Sequence, residues 1–157
     1  MASIDLLLAR WVLNELAPES VPGLAVDALS DGCEAPEVAI FAGLVRPTRL
    51  DVEEELPALL RRLGLARPSR VEALKAVIDD LAREIVDGSV PPARGAWDIW
   101  LWSGRLPEPI DGQVRAFVGL VSDWDGHSED RMAIEAAIVD EARALLAAGG
   151  LRLEPID

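Results

Sequence analysis

The sequence predicts an all-α protein, an irregular bundle of about eight helices. Three observations lead there. Apolar residues recur at intervals of three and four, most cleanly at Val71, Leu74, Ile78, Leu81 and Ile85. No segment sustains the apolar/polar alternation of a half-buried strand. The pairs Asp31-Gly32, Asp87-Gly88, Asp111-Gly112 and Asp125-Gly126 fall at helix boundaries instead of between β-rich runs.

The elements follow in order. Ser3 can cap a first helix running to about Leu16, with Ile4, Leu7, Leu8, Trp11, Val12 and Leu16 on one face and Pro18 as its stop. Ser20 caps a second, whose stripe is Leu24, Ala25, Ala28 and Leu29 and whose end is Gly32. Pro36 opens a short third helix that stops near Gly43. Thr48 caps a fourth, with Leu56, Leu59, Leu60 and Leu63 as its stripe. Pro57 inside it removes a backbone donor, which predicts a kink or a split near Glu55. Ser69 and Glu72 have the spacing of a capping box for the fifth helix, which Gly88 ends. A sixth spans Ala93–Trp102 and stops at Ser103-Gly104. Leu106 to Ile110 reads as a loop. Asp111 can cap a seventh helix carrying Val114, Phe117, Val118, Leu120 and Val121, broken by Gly126. Ser128 caps the last, with Met132, Ile138, Val139, Ala142, Leu145 and Leu146 as its stripe, and Gly149-Gly150 ends it. Residues 151–157 read as a short tail.

At 157 residues and 50% hydrophobic content, the chain suits one helical domain, 1–157, around a single core. The start, Met1 to Arg10, lacks a basic segment followed by a long apolar stretch, so no signal peptide is expected. No apolar run approaches the roughly 18 residues of a membrane span. A cytoplasmic protein without membrane contact is the expectation. Cys33 is the only cysteine, which excludes an intramolecular disulfide and a cysteine-based metal cage. Lys75 is the only lysine beside 14 arginines, which suggests the coding bias of a GC-rich bacterium.

Charge narrows the choice of partner. There are 28 acidic residues against 15 basic ones, a net −13. Such a field repels phosphate backbones and disfavours nucleic acid. It also keeps the chain soluble, and it attracts a basic protein partner. The excess is uneven. Residues 1–47 carry 7 acids and 2 bases, residues 89–157 carry 12 and 6, and residues 48–88 are nearly balanced at 9 and 7.

Three local features are candidates for function, each with a plainer reading. Trp97, Trp100 and Trp102 lie in one helix, with Trp97 and Trp100 sharing a face. A helix this apolar all round is normally buried. In the other reading, an exposed indole anchors a partner, and Trp102 and Trp124 are the candidates. Asp51, Glu53, Glu54 and Glu55 open the fourth helix, where the helix dipole favours acids. Four acids in five residues exceed what capping needs, so Glu53, Glu54 and Glu55 are candidates for meeting a basic partner. Asp123, Asp125, His127 and Glu129 are the alternative, a metal site. Counted from Asp123, Gly126 falls at position 4 and Ile134 at position 12, so the segment does not match a calcium loop. It reads otherwise as a helix-to-helix turn. No metal is favoured and no cofactor is implied. One histidine leaves little room for a histidine-based triad, and no phosphate-binding glycine motif occurs.

Leu81-Ala82-Arg83-Glu84-Ile85-Val86-Asp87-Gly88, then Pro91-Pro92, then Gly95-Ala96-Trp97-Asp98-Ile99-Trp100 resembles a group of small helical bacterial proteins of uncharacterised role. Some of these are similar to immunity-type partners of bacterial toxins. The resemblance covers Leu81–Trp100 only and brings no catalytic residues. Together these features predict a non-enzymatic interaction factor, immunity- or antitoxin-like, binding a basic protein. The alternatives are a metal- or small-molecule-binding domain built on the Asp123–Asp130 segment, or a structural domain of a larger assembly. The oligomeric state is not set by the sequence.

Overall fold

A computed structural model describes residues 3–153, except for the side chains of residues 108 and 109. Among the described residues the structure is all-α and without strands, as expected. The helices are α1 (Ile4–Val12), α2 (Val21–Ser30), α3 (Pro36–Ala42), α4 (Arg49–Leu63), α5 (Arg70–Asp87), α6 (Pro92–Ser103), the single turn α7 (Glu108–Asp111), α8 (Arg115–Gly126) and α9 (Arg131–Ala147). Short 3₁₀ turns at Pro18–Ser20 and Gly112–Val114 lead into α2 and α8. None of these helices is long and apolar enough to cross a membrane. The chain divides into two compact units where the sequence predicts one domain. One comprises Met1–Ala9 with Arg70–Asp157, the other Arg10–Ser69.

In the Arg10–Ser69 unit, α2 packs on α3 and α3 on α4. Helix α1 starts in the other unit, where Ser3 caps it through the Leu6 amide, and ends in this one. The helix ends at Val12, before the expected Leu16. Asn14 adopts a left-handed conformation at φ 62°, and the amides of Asn14 and Glu15 turn back to the carbonyls of Trp11 and Arg10. Asparagine tolerates that region better than most residues, so it closes the helix as glycine does elsewhere. Ser20 precedes α2 but its hydroxyl donates backward to the Ala17 carbonyl, leaving it no capping role. Only Ala25 of the expected α2 stripe is buried.

The split that Pro57 allows in α4 does not occur, and the helix is continuous from Arg49 to Leu63. A full capping box between Thr48 and Asp51 secures its start. The Thr48 bonds hold the Asp51 carboxyl below its ordinary value. Proline forfeits one backbone bond. Val52, Leu56 and Leu59 are buried at spacings of four and three, so both halves keep one apolar side inward.

In the other unit α5 lies against α6 and α9, and α8 packs on both of those. Besides Leu74, Ile78, Leu81 and Ile85, α5 buries Ala73, Val77 and Ala82. That is a wider stripe than one surface helix needs, and it follows from having two helical neighbours. Leu106–Ile110 is not all loop, since Glu108–Asp111 forms a turn of helix, and Asp111 makes no side-chain cap. In α9 the helix begins at Arg131 instead of Ser128, whose hydroxyl is taken by Glu129. Met132 is 87% exposed and does not belong to the stripe; Ile138, Ala142 and Leu145 do.

Two glycines determine how this unit closes. Gly95 is buried in α6, where a Cβ would lie 2.5 Å from Ile85 Cγ1 and 2.9 Å from Val90 Cγ1. Its lack of a side chain lets α6 sit directly on the end of α5 and fixes the rotation of α6. Gly150, at φ +78°, brings the chain against the Asp79 carboxylate. Asp79 is 5% exposed, ion-paired to Lys75, and accepts the Leu151 amide at 2.8 Å. Beside it, the Gln113 side chain donates to the Arg152 carbonyl at 2.9 Å and accepts the Arg152 amide at 2.8 Å. Leu151, 1% exposed, is thus a docked residue where the sequence predicts a tail. Residues 154–157 of that tail lie outside the described residues.

Candidate interaction surface

The seating of α6 decides which of its residues face outward. Gly95, Ala96, Ile99 and Ser103 are buried. The opposite side therefore carries Trp97, Trp100 and Leu101, at 41, 39 and 56% exposure. Their spacing of three and one places them on one helical face. The two indoles meet edge to face at 87°, with centroids 4.6 Å apart, a favoured aromatic geometry. The reading of this helix as buried all round is corrected: it has one buried and one open apolar side.

Next to Trp97 lies a cleft of about 340 Å³, lined by Ala93, Arg94, Trp97, Val121, Trp124 and Asp125. It is mostly apolar, with charge at its edge. Arg94 is engaged by Asp98, one turn along α6, at 2.9 Å. Asp125 is exposed, and no cation pairs with it among the described residues. Trp124 is half-buried, with the Arg131 guanidinium 4.3 Å above its ring. Its indole N–H is buried without an acceptor among the described residues.

Trp102 and Trp124, the expected anchors, are both half-buried and each is covered by an arginine, Arg105 lying 4.4 Å from Trp102. Trp124 still forms one wall of the cleft. The exposed indoles are Trp97 and Trp100. Their spacing gives little warning of it, because the charges of this helix are confined to Arg94 and Asp98 and apolar residues occupy most of the remaining surface.

The acidic run on α4 divides. Glu53 is not a free surface acid. It accepts two hydrogen bonds from Arg67, at 2.5 and 3.0 Å, and one from the Trp11 indole at 2.8 Å, and lies 3.5 Å from Arg49. The Arg67 hydrogen bond holds its carboxyl below the ordinary 4.5 against the effect of partial burial, with Trp11 and the charges of Arg67 and Arg49 adding. Arg49 in turn stacks 4.2 Å over Trp11 and donates to the Trp11 carbonyl at 3.1 Å. Glu53 is therefore the centre of an internal network. Glu54 is exposed and Glu55 half-buried.

Asp123, Asp125, His127 and Glu129 are all exposed. His127 Nδ1 lies 3.2 Å from the Asp123 carbonyl oxygen, a contact within the turn. No three histidine, cysteine or carboxylate side chains converge on a metal position among the described residues. The segment has the chemistry of a divalent site without the convergence one requires. Asp79 is the buried acid that sequence reasoning missed. Lys75 at i−4 reads as an ordinary surface pair, and the distant Gly150-Leu151 segment packs against the Asp79 carboxylate.

No protein family, no curated protein and no solved structure matches this chain.

Proposed function

We propose that this protein is a non-enzymatic interaction factor that binds a basic protein partner through the outward face of α6. The observation that carries this reading is the exposed Trp97–Trp100 pair, continued by Leu101 and by the cleft beside Trp97. Exposed tryptophans at the edge of an apolar cleft are the residues that dominate the energetics of protein interfaces. The charge of −13 supports a basic partner by speeding its approach and rejecting acidic competitors. The face lies within Leu81–Trp100 or next to it, the segment that resembles small helical bacterial proteins of uncharacterised role, some of them immunity-like. We place the protein in that functional class, acting by occupying a partner's surface and without a reaction of its own.

Capture from a bacterial lysate tests the reading. The expected result is one basic protein retained in stoichiometric amount at low salt and released progressively as ionic strength rises, because rim charges are screened within about 10 Å at 0.1 M salt. Retention of acidic proteins only, or of a partner indifferent to salt, overturns it.

A further inference from the structure

Three of the five tryptophans are stacked under arginines of the chain itself. Arg49 covers Trp11 at 4.2 Å, Arg105 covers Trp102 at 4.4 Å and Arg131 covers Trp124 at 4.3 Å. Among the described residues no guanidinium lies over Trp97 or Trp100, and these are the two exposed indoles. Arg94 is close enough to line the same cleft, but its guanidinium is turned to Asp98. The cleft thus has an indole wall free of any cation, a second indole wall at Trp124, and the unpaired carboxylate of Asp125 at its edge. A flat cation placed over a tryptophan face with a carboxylate in reach is an arrangement that suits arginine better than lysine.

We infer that the cleft between Trp97 and Trp124 receives an arginine side chain from a basic segment of the protein partner, with the guanidinium against the Trp97 indole and its charge met by Asp125. The inference rests on the proposed function and specifies the chemistry of its contact. Charge complementarity selects the occupant. An acidic chain with an aromatic cleft and an unpaired acid at its rim favours a cationic side chain over an apolar or an anionic one. The volume of about 340 Å³ accommodates one long side chain and part of its backbone.

The test uses the full chain and a synthetic peptide of alternating glycine and arginine at near-physiological salt. The five indole N–H signals are resolved by nuclear magnetic resonance and assigned with single Trp→Phe variants. The expected result is a saturable shift of the Trp97 and Trp124 signals with no shift of Trp11. Replacing arginine by citrulline, which keeps the shape and removes the charge, should abolish it. Trp97→Ala should weaken peptide binding by at least about fivefold, from the usual size of a cation–aromatic contact. Asp125→Asn, an exposed change that leaves the packing intact, should weaken it about threefold by loss of a rim charge. Equal binding of the citrulline peptide, shifts that avoid Trp97 and Trp124, or unchanged affinity in Trp97→Ala with native helical content each overturn the inference. The two proposals fail separately. A salt-sensitive basic partner whose binding ignores Trp97→Ala and Asp125→Asn sinks the arginine site and leaves the interaction role standing. Absence of any such partner sinks the role.

Discussion

Trp11 and Trp97 have neighbours of the same kinds and opposite fates. Each stands near an arginine and a carboxylate, in a helix with an apolar stripe. Trp11 is 3% exposed, and its indole N–H, its ring face and its backbone carbonyl are all taken, by Glu53 and Arg49. At Trp97 the local arginine and aspartate bond to each other, and the indole is left to the solvent and to Trp100. The difference lies in where the acid comes from. Glu53 reaches Trp11 from another helix and draws Arg67 in from beyond it, so the polar groups close over the ring. Asp98 is one turn from Arg94 on the same helix, and such a pair satisfies itself along the surface.

The contrast predicts a ranking of substitutions. Trp11→Ala should be the most damaging, removing a buried ring and stranding the Glu53 network, at about 3–5 kcal/mol. Chemical unfolding of the variant would show it, and a loss below about 1 kcal/mol would break the claim that Trp11 is a core residue. Gly150→Ala comes next at about 3 kcal/mol, because a Cβ there meets the Asp79 carboxylate at 2.4–2.6 Å and the backbone is left-handed. Its destabilisation should fall when Asp79 is also changed to alanine, a coupling that a double-mutant cycle measures.

Glu53→Gln follows at about 1.5–3 kcal/mol at neutral pH, the range for hydrogen bonds to a charged group. Its pH dependence has a definite sign. The folded carboxyl lies below its ordinary 4.5, so its contribution is complete above that value and is lost as pH falls through the lower folded one. The gap between wild type and variant should therefore be full at pH 7 and narrow below pH 4, as read from urea midpoints at both. Smallest is Trp97→Ala, at about 1 kcal/mol, since much of that ring is already in water. It should cost binding more than stability. A loss equal to that of Trp11→Ala would erase the distinction between the two indoles.

The local grammar of the fold was legible in the sequence. Thr48, Ser3, Gly88 and the α5 periodicity each act within one or two turns, and each falls where spacing predicts. Some local signals failed too, since Ser20, Asp111 and Ser128 make no cap and Asn14 ends α1 early. The larger departures came from packing beyond one turn. Pro57 looks like a break until Val52, Leu56 and Leu59 are seen holding both halves of α4 to one side. Glu53 looks like a free acid because Arg67 and Trp11 lie 14 and 42 residues away. The open face of α6 was illegible for a different reason. Hydrophobic periodicity locates a buried side by contrast with a polar one, and on this helix the charged contrast is confined to Arg94 and Asp98. The signal that could have found it is Gly95, since a glycine inside an apolar helix marks the side where another helix comes close. Counting from it places Trp97 and Trp100 away from that contact.

The pairing of Lys75 with Asp79 has a practical consequence. The side chains of this protein offer a single primary amine, half-buried and held by a carboxylate that also fastens the Gly150-Leu151 segment. Amine-directed labels and cross-linkers have one side-chain target here, and reaching it means competing with that contact. Acylation of Lys75 would neutralise the cation paired with the buried Asp79 carboxylate, so a reagent meant to report on the surface would instead loosen the Gly150-Leu151 contact.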